Sequence, residues 1–263
     1  NKLAFANSIQ FQKQQGFCSV GPAESIYRAD NSLKKSPLDD ALQIRLSSIA
    51  CGKHHAVAIE APASGNGHTP RVFTWGCGNY GCLGHGVQAD EYTPRSIALF
   101  EQQDSVFANN PPVSAAAGAS CSMVLTKSGH VYYWGKHKSN AEAVMRPQLL
   151  NELAHNGHIA SHVAGGNQSV MVTTQNAVTV AWGQGPHGEL ALGKVKSSSK
   201  PTFVSALDAC RCVSLACGYG NTYWIVQKED ADDEKAIEQL ETVTDEAFMD
   251  LEAAVVSAKS TKK

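Results

Sequence analysis

Cys77, Cys82 and His85 are spaced C-x4-C-x2-H, and Cys51 stands shortly before the adjacent pair His54-His55. The first chemistry to weigh is therefore a zinc site, since thiolates and imidazoles at such short separations are what zinc takes. No second cysteine pair at matched spacing completes a set of four ligands, and a hydrogen-bonded turn accounts for His85 without a metal. The expectation is no metal site. Gly76-Cys77-Gly78-Asn79-Tyr80-Gly81 fits the G-x-G-x-x-G pattern that cradles a dinucleotide. It runs on into Cys82-Leu83-Gly84-His85-Gly86, which starts no helix, and no β-α-β unit encloses it. No cofactor is expected. Serine, histidine and aspartate all occur, yet no Gly-x-Ser-x-Gly elbow stands between a strand and a helix. Catalytic residues stay unassigned, and no small-molecule substrate is expected.

The elements that carry these residues follow from composition. A chain of 263 residues with 43% hydrophobic and 17% charged residues can bury a sizeable core, so wholesale disorder is ruled out. Its 22 glycines and few aromatics favour tightly turned β structure over long helices. Apolar runs such as 115–117 and 253–256 fall far short of the ~20 residues needed to cross a bilayer as a helix, so no membrane partner is expected. The chain opens on Asn1, with neither Met nor a basic region followed by an apolar one, and so reads as the later part of something longer. Eight scattered cysteines suit a reducing compartment, nuclear or cytoplasmic, with free thiols.

Net charge is −2, but it is unevenly spread. Residues 1–227 carry 17 Lys and Arg against 13 Asp and Glu, whereas 228–254 carry 11 acids against two lysines. The excess on the body is too diffuse to argue nucleic-acid binding by itself, because affinity for phosphates needs a concentrated basic face.

Self-similarity organises the chain. Four segments align on a glycine that leads into an apolar strand: 50–59 around Gly52, 116–125 around Gly118, 163–172 around Gly165 and 216–225 around Gly218. These glycines are 66, 47 and 53 residues apart, a period near 50. A second anchor follows in three of them, where β-branched or aromatic runs end in Trp75-Gly76, Trp134-Gly135 and Trp182-Gly183. A proline then recurs at Pro94, Pro147 and Pro201, at Trp-to-Pro distances of 19, 13 and 19, so the middle repeat lacks six residues of its glycine loop. Insertions confined to loops are what stacked β units tolerate. The spacing predicts small sheets of about four strands arranged radially, a β-propeller. Packing and turn geometry explain every Trp and Gly so named, and their first expected role is structural.

Ala-Cys-Gly-x-x-His at 50–55, Val-Phe-x-Trp-Gly at 72–76 and Gly-x-Leu-Gly-His-Gly at 81–86, with Pro94 downstream, resemble the repeat of the regulator of chromosome condensation family. The stretch 90–95, the shortened loop after Trp134, Gly188-Glu189-Leu190 and 196–199 look most like that family's second branch, the telophase disk proteins. The resemblance covers residues 49–228 well, and 1–48 weakly. It implies a seven-bladed propeller, of which about three to four blades are represented here. On that basis 1–48 is the end of a preceding blade or an insertion. Residues 49–228 hold propeller repeats starting near 49, 115, 162 and 213, with Gly84 and His85 among their anchors. Residues 229–263 are an acidic amphipathic helix followed by a basic tail. Within it Ile237, Leu240, Ala247, Phe248, Leu251 and Val255 fit one apolar stripe. A helix of that kind packs on the rim or is partly frayed, or else docks into a partner's groove or repels nucleic acid from the body.

The same resemblance implies a scaffold that binds or regulates a small GTPase of the Ras superfamily together with chromatin, mitotic or microtubule-associated proteins. One alternative is direct guanine nucleotide exchange, which distorts the GTPase's phosphate and magnesium site and makes no covalent bond. The other is a structural subunit of a large assembly.

Overall fold

Short apolar runs punctuated by glycine can bury their surface only by pairing locally and then stacking the pairs. The computed structural model describes residues 4–5, 9–12, 17–20, 44–62, 69–101, 106–137, 142–193 and 197–240. Among the described residues of 1–227 every strand pairing is antiparallel and joins strands that are neighbours in sequence. β1 (Ala4–Phe5), β2 (Ile9–Gln12) and β3 (Phe17–Val20) form a three-stranded meander. A first four-stranded sheet follows, of β4 (Leu46–Cys51), β5 (His55–Glu60), β6 (Val72–Gly76) and β7 (Glu91–Ser96). The second is β8 (Pro112–Ala117), β9 (Cys121–Thr126), β10 (Val131–Gly135) and β11 (Val144–Leu149). The third is β12 (Ala160–Gly165), β13 (Ser169–Thr174), β14 (Thr179–Gly183) and β15 (Ser198–Phe203). β16 (Cys212–Cys217) and β17 (Thr222–Val226) pair as a two-stranded sheet. The architecture is all-β and of propeller type.

Middle strands are apolar on both faces because both faces are covered. Val57 and Ile59 of β5 pack with Val124 and Trp134 of the second sheet, whereas Ala56 and Ala58 look the other way, with Phe73 and Trp75. One sheet on, Met123 and Leu125 of β9 meet Val170, Val172 and Trp182. Met171 of β13 then joins a cluster with Leu215 and Trp224 of the last pair. Alternate residues of one strand thus serve opposite neighbours, and each large side chain buried this way contributes about 1.5–3 kcal/mol. α1 (Ala98–Glu101) supplies Phe100, whose ring lies 4.9 Å from Phe107, 5.6 Å from Tyr132 and 6.5 Å from Trp134. α2 (Asn151–His155) supplies buried Leu153. Pro94, Pro147 and Pro201 each take the fourth place of β7, β11 and β15, the last strand of each sheet, where a missing N–H interrupts no ladder.

Residues 228–263 form a separate unit. There α3 (Ala231–Glu238) is capped by Asp230, whose carboxylate accepts from the N–H groups of Asp232 and Asp233. Asp232, Asp233 and Glu234 in its first turn suit the positive end of the helix. The expected stripe residues Ala247, Phe248, Leu251 and Val255 lie outside the described residues. Among the described residues no helix is long and apolar enough to cross a membrane.

Candidate interaction site at the loop end of the sheets

The glycines place the site. In each four-stranded sheet and in the last pair the N–H of one turn glycine donates to the carbonyl three residues on: Gly52 to His55, Gly118 to Cys121, Gly166 to Ser169 and Gly218 to Asn221, at 2.8–2.9 Å. The third of these is Gly166, one residue beyond the Gly165 anchor read from the sequence. Gly165 ends β12, and a Cβ there would lie 2.6 Å from the Gly118 nitrogen. Successive turns abut, for a Cβ on Gly52 would come 2.5 Å from Gly118 O, one on Gly118 2.9 Å from Gly166 O, and one on Gly166 2.6 Å from Gly218 O. Ala119 N and Asn167 N donate to the carbonyls of Gly166 and Gly218 in the next sheet, each at 3.1 Å.

The Trp-Gly pairs face the same turns. Trp75, Trp134 and Trp182 sit at matching places, opposite Ala56, Ser122 and Val170, and all three rings are buried. The glycine after each has positive φ: +105° at Gly76, +88° at Gly135 and +118° at Gly183. That conformation lets the next N–H reach the turn carbonyl, Cys77 to His54, Lys136 to Ser120 and Gln184 to Gln168, at 2.7–2.8 Å.

The long loop after Trp75 is held from both sides. Thr74 Oγ1 donates to Leu83 O at 2.7 Å, and His85 Nε2 lies 3.1 Å from the same hydroxyl. Gly84, with φ +78°, runs so close to the Trp134 ring that a Cβ would lie 3.0 Å from Nε1. From the second sheet, Trp134 Nε1 and Ser122 Oγ both donate to Cys82 O at 2.8 Å, and His55 Nε2 lies 2.9 Å from Ser122 Oγ. With the Ser122 proton given to Cys82, His55 Nε2 carries its own proton and donates. After Trp182 the pattern returns, Thr222 Oγ1 donating to Glu189 O at 2.8 Å. Between these two sheets, where the loop spans only 136–143, the place matching Ser122 and Thr222 is Val170. There the place matching Thr74 carries Tyr133, whose ring stands edge-on to Trp182 at 6.2 Å and whose hydroxyl meets His137 Nδ1 at 2.9 Å.

Burial lowers the His55 pKa to about 4, the Cys121 backbone opposing the shift and His54 adding to it. The folded protein therefore holds this imidazole neutral, while the unfolded chain protonates it near 6.5. Stability is whole above about pH 6.5 and falls as pH drops toward 4, by on the order of 3 kcal/mol from this group. We expect His55→Gln to flatten that loss, checked by urea midpoints at pH 7.5 and pH 4.5. An equal acid loss in the variant would remove His55 as the cause. Ser122→Val strands both His55 and one bond to Cys82, and is expected to cost about 2 kcal/mol in the same assay at neutral pH.

Cys77, Cys82 and His85 are each engaged in this clasp. Cys82 Sγ donates to Cys77 O at 3.1 Å, and burial pushes its thiol up to about 12, the reverse of what a metal-bound thiolate needs. His85 is lowered by burial first and then by Arg95. Among the described residues no three His, Cys, Asp or Glu side chains gather as metal ligands would. Gly78 N donates to Asp90 Oδ1 at 2.8 Å, so the G-x-G-x-x-G segment spends a backbone donor inside its own loop.

Around the turns lies an open polar cleft of about 320 Å³. Lys53 comes from the first sheet, Ser120 and Lys136 from the second, and Asn167 and Gln168 from the third. Tyr80 from the long loop forms one wall, with the Lys136 ammonium 4.9 Å from its ring centroid. Gln168 Oε1 is buried without a hydrogen-bond partner. Sequence reading missed these side chains, because they occupy the variable places between the anchoring glycines and nothing in their types marks them. The turn alignment was the one signal that could have found them.

This stack of antiparallel sheets joined glycine to glycine defines a propeller-type repeat protein. The model of the regulator of chromosome condensation (RCC1) repeat matches residues 71–125 and 181–225. Protein RCC2 of Mus musculus is 31% identical over 199 residues, covering 74% of this chain and 35% of the relative, and Protein RCC2 of Homo sapiens is 31% identical over 195 residues, covering 73% and 34%. The yeast RCC1 (Prp20) structure with Kap60 bound superposes with TM-score 0.60 at 21% identity, over 91% of this chain and 57% of that one. The structure of Prp20p from Saccharomyces cerevisiae gives 0.57 at 21%, over 76% and 50%. The chain belongs to the regulator of chromosome condensation repeat family. Within it, the chain falls in the RCC2 branch. It spans about a third of the length of the curated relatives it matches.

Proposed function

We propose that the chain is a protein-interaction scaffold whose loop-end face binds or regulates a small Ras-superfamily GTPase and chromatin or microtubule-associated partners, in the nucleus or cytoplasm. The observation that carries this reading is the cleft, where side chains from three consecutive sheets meet on a polar surface beside buried apolar clusters. A surface assembled from rigid strands through fixed turns suits recognition of a folded partner. The solved Prp20p structure is described by its binding properties to Gsp1p and histones, which supports these two kinds of partner. The test mixes the 263-residue chain at low salt with purified Rho, Ral and Ran GTPases, nucleosomes and tubulin. Capture of at least one is expected, and capture of none overturns the reading. Labelled-GDP release in the same mixtures separates a direct exchange factor, which accelerates it, from a scaffold, which does not.

A further inference from the structure

The cleft has a chemistry of its own. Lys53 and Lys136 both line it, among the described residues no carboxylate does, and the Tyr80 ring holds the Lys136 ammonium at the wall. Beside the two cations stand the amides of Asn167 and Gln168, which both donate and accept. The buried and unpartnered Gln168 Oε1 calls for an N–H donor. A peptide carrying acidic side chains brings both complements at once, carboxylates for the lysines and main-chain N–H groups for the glutamine. A nucleic acid brings phosphates and base N–H groups, but among the described residues it would find only two lysines, with no extended basic stripe, and a Tyr80 ring that already faces a cation beside His137. Inorganic phosphate would find no arginine fork.

We propose that this cleft binds an acidic peptide segment of a partner protein, its carboxylates at Lys53 and Lys136 and its backbone at Gln168. The proposal rests on the scaffold reading only in requiring a protein partner. Fluorescence polarisation of a fluorescein-labelled hexaglutamate peptide with the 263-residue chain, at about 0.1 M salt, tests it. Lys53→Glu and Lys136→Glu are each expected to weaken binding about tenfold or more, and Gln168→Ala several-fold with the salt dependence unchanged. Lys53→Gln and Lys136→Gln, milder surface changes, guard against misfolding and should show the same order of loss at smaller size. Binding unaltered in the lysine variants overturns the proposal. So does displacement of the peptide by inorganic phosphate or by a labelled single-stranded oligonucleotide at equal or lower concentration. Capture of a GTPase or nucleosome that persists in Lys53→Glu and Lys136→Glu leaves the scaffold standing and places its partner elsewhere.

Discussion

Trp134→Ala is expected to lower unfolding free energy by about 3–5 kcal/mol, read from chemical denaturation at neutral pH. The ring is fully buried between the first and second sheets, beside Phe100, and its Nε1 is one of two donors to Cys82 O. Truncation opens a cavity and removes one of the bonds that hold the long loop against the next sheet. Trp134→Phe keeps most of the ring and loses the donor, and should cost about 1–2 kcal/mol, the share that belongs to the hydrogen bond. Trp75→Ala and Trp182→Ala should match the alanine figure through packing, since their rings occupy the same place in their own sheets. A loss below about 1 kcal/mol at Trp134 or Trp182 would mean that its ring is not clamped between sheets, and at Trp75 that its ring is not packed into the cluster of the first sheet.

Gly183→Ala is expected to be at least as damaging, costing about 4 kcal/mol or abolishing soluble expression. Its φ of +118° is unfavourable for any side chain, and the added Cβ would lie 2.1 Å from Gln168 O, a backbone atom with no room to yield. The same carbonyl receives the Gln184 N–H, so relief of the clash breaks that bond as well. Gly188→Ala is the control, for its φ of +85° is equally left-handed but nothing lies within 4 Å. There the cost should be only about 1 kcal/mol. Equal losses at the two positions would show that backbone strain alone, and not the close approach, explains Gly183.

The repeat period, the strand-ending tryptophans and the shortened middle loop could all be read from residue types, because glycine, tryptophan and proline each answer to a narrow backbone or packing demand. Gly165 shows the limit of that reading. Two adjacent glycines satisfy the pattern equally, and only the bond from Gly166 N to Ser169 O decides between them. The cross-sheet donors were beyond reach for another reason. Ser122 and Thr222 look like ordinary polar residues at strand starts, and their meaning lies in a carbonyl tens of residues away, on a loop that sequence alone does not bring near. The cleft was illegible in the same sense: Lys53, Lys136 and Gln168 are neighbours only once three turns are stacked.

A hydroxyl stands at the start of the receiving strand where the preceding sheet sends the long loop, and a valine where it sends the short one. The blades are therefore not interchangeable bricks: each carries a key cut for the one before it. Exchanging the second and third blades by gene rearrangement would set Val170 beneath a carbonyl that needs a donor and Thr222 beside the short loop, where no such carbonyl arrives. Order along the stack is thus written into side-chain chemistry, and engineers who wish to lengthen or permute such a protein must move lock and key together.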